Sequence, residues 1–160
     1  MNNWIEKEQP NKETIQSFKK DIKIDDFLCS LLLQRKVNTL IKAQEFFRPN
    51  INLLHDPFLM KDMKKVVEKI ENSREERIMI LGDYDVDGTT STAMLYKYFK
   101  NANYDILYYI PDRYSEGYGV SEKAIEYAEK SSVSLIITVD CGIKAINQVD
   151  ISNSKNIEMI

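Results

Sequence analysis

The pattern of apolar and polar residues changes about halfway along this 160-residue chain. In the second half, three short apolar runs (78–81, 106–110 and 135–139) alternate with segments that have helical spacing. Apolar runs without polar alternation are typical of strands buried on both faces. Alternation of such strands with helices is typical of βαβ units. The pattern therefore predicts an α/β domain with a parallel sheet over residues 76–160.

Residues 1–75 have a different pattern, in which short helices are predicted between loops. Thr39 is a candidate N-cap for a helix over residues 40–47. Apolar residues from Leu59 to Ile70 recur at helical spacing, which predicts an amphipathic helix. A polar stretch follows this helix. We therefore place a domain boundary between a helical leader region, 1–75, and the sheet domain, 76–160.

Composition narrows the class of protein. A hydrophobic content of 43% is enough for a packed core. No segment approaches the ~20 apolar residues of a membrane span, and no signal peptide is recognisable, so we expect a cytoplasmic protein without a membrane partner. The two cysteines, Cys29 and Cys141, are too far apart in sequence to predict a zinc site or a disulfide framework. The single histidine, His55, is expected to have a structural role at a turn.

Charge is unevenly distributed along the chain. Residues 1–77 hold 15 Lys and Arg against 13 Asp and Glu, whereas residues 78–160 hold 7 against 12. There is no strongly basic region, so charge alone does not indicate nucleic-acid binding. The excess of carboxylates in the second half needs a separate explanation.

Three aspartates, Asp83, Asp85 and Asp87, follow the first predicted strand. The carboxyl ends of parallel strands form the edge at which ligands bind. Alternate residues of an extended segment share a face, so we expect these carboxylates to converge. Their mutual repulsion calls for a cation, and oxygen ligands favour Mg²⁺ or Mn²⁺. Gly88 permits a turn into a helix that begins with Thr89, whose first amides could hold a phosphate.

Asp140 repeats this arrangement after the third predicted strand, and Gly142 again allows a close turn of the backbone. Because parallel strands end at one edge, Asp140 is expected near the first three aspartates. Two carboxylate-bound divalent ions are a common device for phosphodiester hydrolysis. Cys141 has no histidine near it in sequence to activate it, so we expect it to pack rather than to act as a nucleophile.

Two alternatives compete with the metal site. The aspartates could be solvated loop or helix-capping residues. The spacing of Asp83, Asp85, Asp87 and Gly88 also matches the start of an EF-hand calcium loop. That loop needs a preceding helix and a glutamate at its twelfth position, which is Met94 here. Both requirements argue against the EF-hand.

The loop over residues 111–119 follows the second predicted strand. Arg113 is a candidate phosphate ligand. The loop also has two glycines suited to close backbone approach and two tyrosines that could stack on bases: Gly117, Gly119, Tyr114 and Tyr118. The alternative is an ordinary turn in which Arg113 pairs with Glu116.

Four segments, in this order, resemble RecJ-type single-stranded-DNA-specific exonucleases of the DHH phosphoesterase superfamily: Leu54–Met63, Gly82–Gly88, Pro111–Gly119 and Val139–Gly142. The resemblance covers nearly the whole chain. It implies a Rossmann-like DHH domain and an enzyme that digests single-stranded DNA from the 5′ end in recombination and repair. A single-strand-binding protein and a helicase are implied as partners.

The resemblance also implies roles for individual residues. Asp85, Asp87 and Asp140 would bind Mn²⁺ or Mg²⁺, two ions in the complete enzyme, and Asp83 would be a ligand or a close support. These four aspartates form the expected catalytic set. The expected substrate-binding residues are Arg113, Thr89, Gly117, Gly119 and Gly142.

The chain departs from the family pattern in two places. Leu81 stands where some relatives have a histidine. The Asp-His-His motif should follow a fourth strand, which residues 156–160 resemble at its start, so we expect a truncated sequence and an incomplete sheet. The fragment is then expected to have little or no nuclease activity. Two other functions stay open: a DHH-family phosphoesterase for short oligonucleotides, cyclic dinucleotides or pyrophosphate, and a non-catalytic DHH-fold scaffold.

Overall fold

The computed structural model describes residues 4–160. The α-helices are α1 (Lys12–Ile22), α2 (Asp26–Gln34), α3 (Leu40–Phe47), α4 (Met63–Asn72), α5 (Val86–Asn101), α6 (Glu122–Lys130) and α7 (Ile146–Ser154). The strands are β1 (Arg77–Gly82), β2 (Asp105–Tyr109), β3 (Leu135–Val139) and β4 (Glu158–Met159). Within the described part of the chain, no helix has the length and apolar character needed to cross a bilayer.

Two compact units make up the chain, one ending at Leu59 and one running from Met60 to Ile160. The first contains α1 to α3 and two short 3-10 turns, Ile51–Leu53 and Pro57–Leu59. Its helices begin at side-chain caps, among them Thr39, whose hydroxyl accepts from the Lys42 amide as the sequence predicts. Its core is a small cluster of buried side chains: Phe18, Cys29, Leu32, Val37 and Ala43.

The second unit is built on a four-stranded parallel sheet in the order β2-β1-β3-β4. The predicted α/β class with a parallel sheet is confirmed. Strand β1 lies between β2 and β3, and its residues from Ile78 to Gly82 are all buried. This explains why the sequence of β1 is an unbroken apolar run. The last residues of the chain form β4 beside β3.

Side chains of alternate residues in β1 enter two separate cores, one on each face of the sheet. Met79 and Leu81 pack with α6, which contributes Ala124, Ile125 and Ala128. Ile78 and Ile80 pack on the opposite face with Phe99 of α5. Helices therefore cover both faces of the sheet.

Helix α4 lies in the same compact unit as the sheet. Ile70 packs against the core that contains Phe99, and Lys69 forms an ion pair with Glu158 of β4. The boundary expected after residue 75 falls between α4 and β1, whereas the two compact units divide after Leu59. The amphipathic helix predicted from Leu59 begins at Met63, because Leu59 closes the preceding 3-10 turn.

Candidate functional site

The ends of β1 and β3 bring two of the predicted aspartates side by side. Gly82, the last residue of β1, is in register with Val139, the last residue of β3. Asp83 and Asp140 are the next residues along each strand, so both leave the sheet at the same edge. Asp140 has left-handed backbone geometry, with φ of 59°. The expectation that the two segments meet at the carboxyl edge is confirmed by this register.

Asp85 is the N-cap of helix α5. Its Oδ1 accepts hydrogen bonds from the amides of Asp87, at 3.0 Å, and Gly88, at 3.1 Å. The segment is therefore not extended beyond Asp85, and the expected alternation of three aspartates along one strand face is wrong. The cap starts the helix at Val86, so Asp87 lies in the first helical turn. The helix expected to begin at Thr89 therefore begins three residues earlier, and the Thr89 amide, a candidate for phosphate binding, donates to the Asp85 carbonyl oxygen within the helix.

Two glycines let α5 start directly against β1. A Cβ placed on Gly88 would lie 2.4 Å from the carbonyl oxygen of Asp83 and 2.6 Å from its amide nitrogen. A Cβ on Gly82 would lie 2.0 Å from Oγ1 of Thr92. The helix and the strand end can therefore approach closely only because both positions lack a side chain. This close packing brings Asp85 to the sheet edge.

The carboxylates at this edge interact electrostatically. The pKa of Asp140 is raised, first by desolvation and then by the negative charges of Asp85 and Asp87. Hydrogen bonding to the Asp85 carboxyl and the charge of Asp83 raise the pKa of Asp140 further, by smaller amounts. Such mutual repulsion is relieved when a cation binds between the carboxylates. The residues before Asp83 form strand β1, which pairs in parallel with β2 and β3. An EF-hand loop needs a helix at that position, so the EF-hand alternative is excluded.

Asp83 is the buried member of the group. Its side chain is 1% exposed, and Oδ1 has no hydrogen-bond partner among the described residues. A buried carboxylate oxygen without a partner is costly unless a donor or a cation satisfies it. Within residues 4–160, no three His, Cys, Asp or Glu side chains are arranged to hold a metal ion together. The donor atoms near the edge are nevertheless carboxylate oxygens, which hard divalent cations prefer, and Asp85 and Asp140 are the exposed pair that would hold such an ion.

The loop after β2 lies against this acidic edge. The hydroxyl of Tyr118 donates a hydrogen bond of 3.1 Å to the carbonyl oxygen of Asp140. The Arg113 guanidinium stacks over the ring of Tyr84, 5.2 Å from its centroid, and Tyr84 separates Asp83 from Asp85 in sequence. Arg113 thus contacts the segment between Asp83 and Asp85 through the ring of Tyr84. The alternative turn held by Arg113 and Glu116 is not what forms, since Glu116 binds other partners.

The remaining substrate-binding candidates have mixed surroundings. The Thr89 hydroxyl donates to the carbonyl of Asp85 at 2.7 Å, so it is engaged within the helix. Gly117 and Gly119 have φ of +83° and +89°, with open space where a Cβ would be. Gly142 has φ of +96° and lies against Thr138. Substrate contacts at these four positions stay predictions.

Cys141 follows Asp140 and is half-buried. Burial, with the nearby charges of Asp83 and Asp140, raises the pKa of its thiol to about 11. A thiol with so high a pKa is a poor nucleophile at neutral pH, which agrees with a packing role. A cavity of about 300 Å³ opens beside this segment, between Tyr118 and Lys144.

Sequence reasoning missed two residues of the site. One is Tyr84, an aromatic residue between Asp83 and Asp85 that is a candidate stacking partner for an arginine. Glu116 was considered only as a partner for Arg113, because the sequence does not show that Tyr109 and Ser121 surround it.

Residues 77–160 match the model of the DHH family, N-terminal domain. Together with the parallel sheet and the paired aspartates at its edge, this match shows that the chain belongs to the DHH family. Among curated proteins, the chain is 35% identical over 155 residues to the single-stranded-DNA-specific exonuclease RecJ of Bacillus subtilis, covering 96% of this chain and 20% of that protein. It is also 35% identical over 104 residues to RecJ of Escherichia coli, covering 63% and 18%.

Solved structures give the same likeness. A crystal structure of exonuclease RecJ bound to manganese matches 62% of this chain and 26% of its own, with a TM-score of 0.58 and 30% identity. RecJ from Thermus thermophilus in complex with Mn²⁺ matches 94% of this chain and 20% of its own, with a TM-score of 0.67. The Thermus protein is 21% identical, so that likeness concerns the fold. The chain spans about a fifth of the length of the curated relatives named here.

Proposed function

We propose that this chain is the metal-binding part of a single-stranded-DNA exonuclease, which hydrolyses phosphodiester bonds from the 5′ end in recombination and repair. The observation that carries the proposal is that Asp83 and Asp140 follow the paired ends of neighbouring strands, with Asp85 close enough for its charge to raise the pKa of Asp140. The similarity to RecJ proteins, which are named as exonucleases specific for single-stranded DNA, supports the substrate class.

The chain's own carboxylates would bind a divalent cation. Asp85 and Asp140 are exposed at the sheet edge, whereas Asp83 is buried and its Oδ1 has no hydrogen-bond partner among the described residues. Mn²⁺ or Mg²⁺ bound there, as two ions in our proposal, would activate water and stabilise the leaving oxygen. The RecJ crystal structures that contain manganese support a divalent ion of this kind. Asp87, in the first turn of α5, adds negative charge close to the ions.

Arg113 and Tyr118 would orient the DNA. Tyr118 is 68% exposed although its hydroxyl is bound to Asp140, so one face of its ring is accessible for stacking on a base. Arg113 lies on Tyr84 with its guanidinium available to a phosphate. Tyr118 contacts Asp140 and Arg113 contacts Tyr84, so both side chains touch the segments that carry the aspartates.

The proposal includes the behaviour of this chain by itself. The chain spans about a fifth of the length of the RecJ proteins it resembles, so we expect residues 1–160 alone to show little or no nuclease activity. A single-strand-binding protein and a helicase are the partners we propose, because both supply or hold single-stranded DNA. Because the proposed substrate is DNA, we propose the cytoplasm as the location of the protein.

End-labelled DNA tests the proposed function. The protein is purified as the cell expresses it and given a single strand labelled at the 5′ or the 3′ end, with Mn²⁺. We expect early release of the 5′ label, no such release from duplex DNA, and loss of activity in Asp140→Asn but not in Asp150→Asn, an exposed aspartate of α7. Preferential hydrolysis of dinucleotides would instead favour a short-oligonucleotide enzyme, and an inactive protein would favour a scaffold.

A further inference from the structure

Glu116 ties together three parts of the fold next to the proposed site. Its Oε2 accepts hydrogen bonds from the hydroxyl of Tyr109, at 2.9 Å, and from the hydroxyl of Ser121. Its Oε1 accepts from the backbone amide of Asp112, at 2.9 Å. Tyr109 ends β2, Asp112 begins the loop, and Ser121 is the N-cap of α6. One carboxylate therefore joins a strand, a loop and a helix.

The surroundings of Glu116 show that the carboxylate is charged and held. Burial alone would raise its pKa, but the hydrogen bonds from Asp112, Ser121 and Tyr109 outweigh burial and lower it. Burial and the same carboxylate raise the pKa of Tyr109 to about 12, so its hydroxyl remains a donor at neutral pH. Charge-assisted hydrogen bonds of this type are stronger than neutral ones.

The loop also has hydrogen bonds of its own. The amides of Tyr114 and Ser115 donate to Oδ1 of Asp112, at 3.1 and 2.8 Å. The amides of Glu116 and Gly117 donate to the carbonyl oxygen of Asp112, at 3.0 and 3.3 Å. The turn is therefore closed on itself, and what remains to be fixed is its position relative to the sheet. The Glu116 carboxylate makes that connection.

The turn carries the side chains that face the acidic edge. Arg113 is three residues before Glu116 and stacks on Tyr84, and Tyr118 is two residues after it and binds the Asp140 carbonyl. Neither contact is strong on its own, because Tyr118 is 68% exposed and Arg113 is also exposed. A shift of the turn would move both side chains away from Tyr84 and Asp140 together.

We propose that Glu116 is a positioning residue, which holds the 112–118 turn so that Arg113 and Tyr118 stay aligned with the paired aspartates. The effect of this anchoring on DNA binding rests on the proposed function. The anchoring of the turn by Glu116 does not. Glu116 touches neither metal nor DNA in this scheme. It acts through β2 and α6, because its Oε2 binds Tyr109 and Ser121 while its Oε1 binds the turn at Asp112.

Hydrogen exchange on the purified chain tests the anchoring. Glu116→Ala removes all three hydrogen bonds, and we expect the amides of residues 112–117 to exchange about tenfold faster or more. Trypsin should cut after Arg113 faster by a similar factor. Glu116→Gln, which keeps one acceptor oxygen, should restore part of the protection. Glu122→Ala removes an exposed carboxylate in the first turn of α6 and serves as the matched control.

The proposal is overturned if amides 112–117 exchange at similar rates in all three chains, with Glu116→Ala within twofold of both the unchanged chain and Glu122→Ala. Exchange of the β1 amides is followed at the same time. If they also lose protection, the alanine variant has disturbed the sheet, and Glu116→Gln decides: faster exchange confined to residues 112–117 supports anchoring, and no change in that segment refutes it.

Binding separates positioning from a general structural role. Labelled oligothymidylate is titrated with each variant, and Mn²⁺ binding is measured in parallel. We expect Glu116→Ala to weaken DNA binding about fivefold to tenfold with Mn²⁺ affinity within twofold, and Glu116→Gln to recover part of the loss. Equal loss of both affinities, or DNA binding unchanged with a loosened turn, would refute positioning. If the unchanged chain binds no DNA, the proposed function fails for this chain, while the exchange result still decides the anchoring.

Discussion

Replacing Gly88 with alanine tests how the close approach of α5 to β1 creates the site. In an ordinary helix this substitution stabilises, because alanine exceeds glycine in helix propensity by up to about 1 kcal/mol. Here the added Cβ would lie 2.4 Å from the Asp83 carbonyl oxygen and 2.6 Å from the Asp83 nitrogen. Both are backbone atoms of the strand end, so no side-chain rotation relieves the contact.

The balance of the two effects gives the expected magnitude. Overpacking a tight contact costs about 1–3 kcal/mol, and contacts this short belong at the upper end. After the gain in propensity, we expect Gly88→Ala to lower the free energy of unfolding by about 2 kcal/mol. The relief of the clash must move Asp83 and α5 apart, so Mn²⁺ binding should weaken as well.

Urea unfolding followed by circular dichroism measures the stability, and hydrogen exchange of the β1 amides reports on the sheet unit separately. Thr90→Ala, at an exposed position of the same helix, is the control and should change stability by less than about 0.5 kcal/mol. A Gly88→Ala chain as stable as the unchanged one, or more stable, would refute the argument that this glycine permits the contact.

Three further predictions follow from the same contacts. The pKa of Glu116 is lowered in the folded chain, so its stabilising effect is complete above the ordinary carboxyl pKa. The effect is lost as pH falls through the lowered pKa of the folded state. Glu116→Gln should therefore flatten the decrease in thermal midpoint between about pH 5 and 3. Asp140→Asn removes repulsion from Asp85 and should raise the thermal midpoint without metal, as differential scanning calorimetry would show. Tyr118→Phe loses one exposed hydrogen bond to Asp140 and should cost about 0.5–1 kcal/mol in urea unfolding, not more.

The sheet could be predicted from the sequence because its strands are short apolar runs buried on both faces. The run 78–81 has no polar residue, which is typical of a strand buried on both faces of a parallel sheet. Helix α6 could be predicted equally well, because Ser121 is its N-cap and Ala124, Ile125 and Ala128 face the core at helical spacing. Local signals and burial agree at these positions.

The geometry of the aspartates could not be predicted from spacing alone. Whether Asp85 continues the strand or caps a helix depends on the contact between Gly88 and the strand end, which becomes visible only when the two elements pack. The partners of Glu116 are equally non-local, because Tyr109 belongs to β2 and Ser121 to α6. Spacing in sequence reports which residues can share a face, and tertiary contacts decide which of them do.

Binding of Mn²⁺ to the purified chain tests the central claim, that Asp85 and Asp140 form a divalent-cation site at the carboxyl edge of the sheet. Electron paramagnetic resonance of free Mn²⁺ measures the bound fraction. We predict saturable binding that is lost in Asp140→Asn and in Asp85→Asn but retained in Asp150→Asn. Asparagine at position 85 can still cap helix α5, so the loss in that variant reports on the carboxylate. Equal binding by all four chains, or no binding by any, would contradict the account.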